Sequence, residues 1–153
     1  MEPLRSIASL KTLTIWANDE VVSFPNEVEQ WFLTVRSSLS DLRIYSFKSL
    51  QSLPSTFESL SSLQYLCIWD VPMLRELPNL PPSLECLEIK RCHPELKERY
   101  GEDGGSDRHK IAHISKLLSS QHVPVYMYSI LFIYHFIVFL YTSTNTSTHD
   151  TCD

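Results

Sequence analysis

Four segments within residues 1–90 space their apolar residues by three and then by two positions, whereas a buried helix would continue at three and four. Alternate side chains of a β-strand point to opposite faces, so the last two apolar residues of such a segment share one side. The pattern therefore predicts short strands that bury one face. Four segments share the form Leu-x-x-Leu-x-Ile, namely Leu10-Leu13-Ile15, Leu39-Leu42-Ile44, Leu63-Leu66-Ile68 and Leu84-Leu87-Ile89.

These segments repeat at intervals of 29, 24 and 21 residues, in keeping with the leucine-rich repeat period of about 20 to 29. One such unit cannot bury its leucines alone, but stacked units bury a continuous core. The stretches between segments, such as LQSLPSTFESLSSL, combine leucine with proline and favour irregular structure over long helices. We therefore predict an α/β fold: a leucine-rich repeat solenoid with short parallel strands and irregular convex segments, followed by a C-terminal hydrophobic helix.

Charge and pattern divide the chain into three predicted regions. Residues 1–92 hold about four repeats, residues 93–116 form a C-terminal capping segment, and residues 117–153 form a hydrophobic tail without a charged residue before Asp150. Leucine-rich repeats turn away from each strand three residues after the isoleucine, at a position that prefers Asn or Cys. Asn18 and Cys92 satisfy this preference and are assigned structural roles, while Phe47 and Val71 occupy the two middle positions.

Aligning the four strands also aligns their outward residues in columns. Aromatic and arginine side chains concentrate binding energy at protein interfaces, so the concave face of the array is a candidate protein-binding surface. Its candidate residues are Trp16, Arg43, Tyr45, Tyr65, Trp69 and Lys90. The alternative is that aromatic residues on neighbouring strands pack on one another and serve stability.

The stretch after the last strand, CHPELKERYGEDGGSDRHKIAHI, carries a family resemblance. Together with the irregular repeats it resembles the C-terminal leucine-rich repeat region of plant disease-resistance proteins, the nucleotide-binding leucine-rich repeat immune receptors. The resemblance covers about residues 4–115. The matching positions are Cys92, Pro94, Leu96, Gly101, Asp107, Lys110, Ile111, His113 and Ile114. This chain departs at Arg108, where the family usually has Trp, and at Ser115, where it has Pro.

The resemblance implies a non-catalytic protein-interaction module that contributes to pathogen recognition or to autoinhibition in the defence response. The implied partner is a protein: a pathogen effector, a guarded host protein or another receptor domain. The start of the chain, MEPLRSIASLKTL, has no uninterrupted apolar run typical of a secretory signal, so we expect a cytoplasmic location. Family members hold ATP or ADP with a P-loop in a preceding domain. This sequence contains no GxxxxGK[ST] motif, since its only glycines are Gly101, Gly104 and Gly105.

Other functions find little support in the composition. A formal net charge of -5 argues against a nucleic-acid partner, which requires a concentrated basic surface. His109 and His113 have the spacing of a zinc-binding helix, but Lys110 stands where that motif has glutamate, so we expect no metal site. No nucleophile motif is present, and we expect neither catalysis nor a cofactor. The four cysteines are irregularly spaced and are expected to be free thiols.

The tail contains the run VPVYMYSILFIYHFIVFLY at residues 123–141, which is about long enough to cross a bilayer. Lys110 and Lys116 precede the run and no basic residue follows it, which favours a cytosolic front end. His135 near the middle argues against insertion. The sequence therefore leaves an alternative function open, a tail-anchored membrane protein with cytosolic leucine-rich repeats. It also leaves open that the tail is an extension without function.

Overall fold

The computed structural model describes residues 9–16, 19–101 and 105–118. Asn18 and the predicted spanning segment 123–141 lie outside these ranges, as does the hydrophobic helix predicted for the tail. Within the three ranges, every helix is too short or too polar to span a bilayer.

The described residues are organised around one parallel sheet of five strands in chain order. The strands are β1 (Thr12–Trp16), β2 (Asp41–Tyr45), β3 (Tyr65–Trp69), β4 (Cys86–Lys90) and β5 (Lys116–Leu118). The four strands predicted from the Leu-x-x-Leu-x-Ile segments are confirmed. The fifth has no such segment, and it crosses the predicted boundary between the capping segment and the tail.

The sheet register places like residues of successive segments beside one another. Leu42 pairs with Leu66, and Leu66 pairs with Leu87. The isoleucines form a parallel column two residues further on, from Ile15 in β1 to Ile89 in β4. Both columns face the core, and Leu42, Leu66 and Leu87 are completely buried. In β1, which pairs only with β2 among the described residues, Leu13 and Ile15 are partly buried.

A backbone turn of the same kind follows each of the three central strands. Ser46, Asp70 and Arg91 have positive φ angles of 58°, 59° and 51°, a conformation that costs a non-glycine residue about 1 kcal/mol or more. The sheet hydrogen bonding continues through this turn, because Asp70 N–H donates to Lys90 O at 2.9 Å. The turn breaks the alternation of the strand. Consequently Val71 enters the core and is completely buried.

The connections on the core side of the sheet contain few helices. They are α1 (Asn26–Thr34), α2 (Pro94–Tyr100) and 3₁₀ turns at Ser55–Ser59 and Arg108–Ile111. Phe32 of α1 packs edge-on against Phe57, with ring centroids 5.1 Å apart, and both are completely buried. The connection between β3 and β4 has no helix and contributes buried leucines, Leu74 and Leu77 among them.

The segment after β4 folds over the end of the core. Tyr100, 1% exposed, accepts a hydrogen bond from Leu77 N at 3.1 Å and donates one to Leu77 O at 3.4 Å. Ile111 and Ile114 are buried beyond it. Gly105 permits the return of the chain, since a Cβ there would lie 2.3 Å from the carbonyl oxygen of Arg99. This return brings Lys116–Leu118 alongside β4.

Candidate functional site

The face of the sheet opposite the core carries the candidate binding residues, and we call it the outer face. It consists of residues 12, 14 and 16 of β1 and the residues that the register aligns with them in the other strands. All six predicted residues lie on it: Trp16, Arg43, Tyr45, Tyr65, Trp69 and Lys90. Because the strands are in register, the outward columns derived from the sequence are columns in the fold.

An aromatic row runs along the carboxyl ends of the first three strands. Tyr45 lies between its neighbours, with ring centroids 4.8 Å from Trp16 and 5.6 Å from Trp69. The Tyr45 and Trp69 rings meet edge to face at 81°, a favoured aromatic geometry. Tyr45 and Trp69 are only 7% and 8% exposed. The row therefore contributes to packing, and Trp16 is its more accessible member.

Arg43 occupies the middle of the outer face and is held by two neighbours. Its Nε and Nη2 donate to the two carboxylate oxygens of Asp41 at 2.9 and 2.8 Å. Its guanidinium carbon lies 5.3 Å from the centroid of the Tyr65 ring, within cation–π range. The hydrogen bond to Asp41 raises the pKa of Arg43 above its ordinary value, outweighing the effect of burial. The guanidinium group is thus charged, oriented and still 41% exposed along its side chain.

Glu88 of β4 contacts one residue of β3 and one residue of its own strand. Its carboxylate accepts a hydrogen bond from the Tyr65 hydroxyl and forms an ion pair with Lys90. Burial acts to raise the pKa of Glu88, but the hydrogen bonds from Lys90 and Tyr65 outweigh it, so the pKa lies below its ordinary value. Side-chain exposures of 13% for Glu88 and 15% for Lys90 show that this pair is largely sheltered.

Cys67 lies at the centre of the outer face and is only 3% exposed. Burial and the neighbouring Glu88 carboxylate raise the pKa of its thiol to about 12. Burial also raises the pKa of the adjacent Tyr45 and Tyr65 hydroxyls. All three groups are therefore protonated at neutral pH, and Cys67 lacks the thiolate form that a nucleophile needs.

Three charged residues lie just beyond the carboxyl ends of β2, β3 and β4, and we call them the rim: Lys48, Asp70 and Arg91. Asp70 forms ion pairs with both cations, and the Arg91 Nε to Asp70 Oδ1 distance is 3.6 Å. Lys48 and Arg91 are 46% and 50% exposed along their side chains, against 19% for Asp70. The rim is thus a sheltered carboxylate between two accessible cations.

The sequence did not single out the rim residues. They lie two to four positions beyond the isoleucines, where strand alternation no longer indicates the direction of a side chain. The usable signal was their position in the repeat, since Asp70 and Arg91 both come directly after the last residue of a strand.

Cys92 follows the last of these turns and is half-buried. Its thiol donates toward the carbonyl oxygens of Lys90 at 3.3 Å and Ile68 at 3.6 Å. Burial raises the pKa of Cys92 to about 11, so the thiol is a protonated donor to the backbone. Asn18, assigned the same role in the first repeat, lies outside the described residues.

Two of the histidines near the end of the described chain make local contacts. His93 Nδ1 accepts a hydrogen bond from Glu95 N at 3.2 Å at the start of α2, and His113 Nε2 lies 3.1 Å from Pro81 O. Within residues 9–16, 19–101 and 105–118, no three side chains of His, Cys, Asp or Glu come together as metal ligands. A search of protein-family models, of curated proteins and of solved structures finds no match to this chain.

Proposed function

We propose that this chain is the leucine-rich repeat region of a plant nucleotide-binding leucine-rich repeat immune receptor and acts as a non-catalytic protein-interaction module. The solenoid architecture is supported by the parallel strands, which follow one another in chain order with leucine beside leucine. It is also supported by the positive-φ turn that recurs after the central strands. Such an array stacks each unit on its neighbours and leaves one sheet face open to a partner.

The closing segment supports the family assignment, because several family-like residues make the contacts that hold it. Asp107, 8% exposed, accepts from Arg99 Nε at 2.5 Å and forms an ion pair with Lys110 at 3.0 Å. Ile111 and Ile114 of the same segment are buried in the core. Four of the positions that carry the resemblance thus help to hold the closing segment in this chain.

The outer face carries the proposed interaction. The Arg43 guanidinium lies over the Tyr65 ring. Asp41 orients Arg43 and Glu88 orients Tyr65 through hydrogen bonds. Arg43 and Tyr65 both remain partly exposed. Side chains ordered before binding lose less conformational entropy when a partner docks. This pre-organised arginine–tyrosine pair is the observation that best supports a recognition surface.

Site-specific photocrosslinking tests the proposal. A photoreactive phenylalanine analogue is placed at Trp16 or at Arg43 in the full chain, and, as a control, at exposed Arg36 after α1. In a leaf extract, one protein should crosslink at both outer-face positions and not at the control position. The crosslinked partner, once purified, should bind the Arg43→Ala variant of the chain more weakly and the Arg36→Ala variant with unchanged affinity. Equal crosslinking or equal affinity at all positions would contradict the proposal.

The apolar run at residues 123–141 supports a second candidate, in which the repeats are cytosolic and the tail is anchored in a membrane. Extraction of cell membranes with alkaline carbonate decides between the two. A spanning segment keeps the chain in the pellet, whereas a peripheral chain is released. The variant with Leu131→Arg and Val138→Arg is the control, because charges in the run should abolish membrane retention.

A further inference from the structure

Charge is distributed unevenly between the outer face and the rest of this acidic chain. The outer face and rim carry three carboxylates, Asp41, Asp70 and Glu88, and five cations, Arg43, Lys48, Lys90, Arg91 and Lys116. Five minus three leaves a formal charge of +2, although the net charge of the chain is -5. The side of the sheet proposed to meet a partner is thus basic.

The cations of this surface are also more exposed to solvent than the carboxylates that pair with them. Arg43, Lys48 and Arg91 are 41%, 46% and 50% exposed along their side chains. The carboxylates that pair with them are less accessible, with 23% for Asp41 and 19% for Asp70. An approaching molecule therefore meets the cations first. Lys116 is also exposed and forms no ion pair with another described residue.

The rim contains more cations than carboxylates. Asp70 is shared between Lys48 and Arg91, so one negative charge stands against two positive charges and a net charge of +1 is left. In the chain, Asp70 directly follows Trp69, the last residue of β3, and Arg91 directly follows Lys90, the last residue of β4. A second carboxylate, supplied by a partner, could approach both cations from solvent.

We infer that the rim and the adjacent outer face bind an acidic segment of a partner protein, one of whose carboxylates contacts Lys48 and Arg91 from the solvent side. This inference rests on the proposed interaction function and names the chemistry of its partner. Spaced glutamate or aspartate residues suit the surface, because its own carboxylates alternate with its cations. A continuous phosphate backbone carries far more negative charge than the excess of +2 on this surface can neutralise, so it is disfavoured.

The experiment uses three fluorescein-labelled octapeptides that alternate leucine with glutamate, with glutamine or with lysine. Fluorescence anisotropy measures their binding to the full chain at low and high salt. The glutamate peptide should bind best and should weaken as salt rises. The double variant Lys48→Gln/Arg91→Gln should weaken it about fivefold or more. The matched double variant Arg36→Gln/Lys97→Gln, which removes two exposed charges on the other side of the sheet, should leave its affinity unchanged.

A gain-of-affinity variant separates binding from mere structural damage. Asp70→Asn keeps the shape of the side chain and tolerates the positive φ of 59°, but it frees both rim cations. The glutamate peptide should therefore bind about twofold to fivefold more tightly to this variant. Weaker binding to Asp70→Asn, or an equal loss in both double variants, overturns the inference.

The peptide series also separates failure of this inference from failure of the proposed function. If the glutamine or lysine peptide binds the outer face as well as the glutamate peptide does, the acidic partner is wrong while the interaction surface stands. If none of the three binds, the acidic partner is again wrong, and the crosslinking pattern at Trp16 and Arg43 decides the proposed function independently.

Discussion

The hydroxyl of Tyr65 on β3 donates a hydrogen bond to the carboxylate of Glu88 on β4, and both side chains lie on the outer face. Glu88 also pairs with Lys90, and Tyr65 also lies beneath Arg43. The bond therefore links two groups of charged residues across neighbouring strands. Its loss should affect stability and the orientation of Arg43 together.

Removing this hydroxyl tests the link. Tyr65→Phe should lower the free energy of unfolding by about 0.5–1.5 kcal/mol, the usual net worth of one hydrogen bond. Urea unfolding of Tyr65→Phe, Glu88→Gln and the double variant forms a cycle that measures the coupling. The double variant should lose less than the sum of the single losses. Simple additivity would mean that the two side chains do not act on each other.

Acid should weaken the fold through Glu88. Its pKa is lower in the folded chain than its ordinary value, so its carboxylate stabilises the fold above the unfolded-state pKa of about 4.3. This stabilisation is lost as pH falls from that value through the folded-state pKa. The difference in urea midpoint between the native chain and Glu88→Gln should therefore shrink below about pH 4.3. A difference independent of pH would contradict the assignment.

The aromatic row predicts that its two tryptophans contribute unequally to the stability of the fold. Trp69 is 8% exposed, so Trp69→Ala should destabilise the fold by about 3–5 kcal/mol, as for other buried aromatic residues. Trp16 lies in the edge strand and is more exposed, so Trp16→Ala should cost less. Thermal unfolding of both variants checks this order. The reverse order would show that β1 contributes more to stability than β3 does.

Cys67, Cys86 and Cys92 should differ in their rates of alkylation. Cys67 and Cys92 are held protonated, because burial raises their pKa values to about 12 and about 11. Cys86 is half-buried, and burial raises its pKa as well, with an opposing effect from Lys116. Brief iodoacetamide treatment at neutral pH should therefore label Cys86 before Cys67 or Cys92, as measured by peptide mass spectrometry. In urea all three should react at similar rates.

Much of the central fold follows from local sequence pattern. Leu42 and Ile44 lie two residues apart, and so do Leu66 and Ile68, so strand geometry alone predicts which side chains share a face. The repeat of that unit predicts the register, since any other alignment would leave a leucine without a leucine beside it. A capping role was predicted for residues 93–116, and the buried Ile111 and Ile114 are consistent with it.

Other features depend on residues that are distant in sequence. β5 has no repeat unit, and Lys116–Leu118 become a strand because the segment from Pro94 to Ile114 returns the chain to the open edge of β4. Likewise, no local pattern distinguishes Trp16 from Trp69. Their different exposure arises because Trp69 has strands on both sides and Trp16 has only β2 beside it among the described residues.

The sequence by itself determined β1 to β4, their register and the composition of their outer face, because these depend on a short repeated spacing. Tertiary structure decided which side chains of that face are buried, paired or accessible. It buried Tyr45 and Trp69 against each other, brought Lys48 and Arg91 to one carboxylate, and left Arg43 accessible. Exposure and ion pairing depend on side chains from repeats more than twenty residues apart, and only stacking of the repeats brings those side chains into contact.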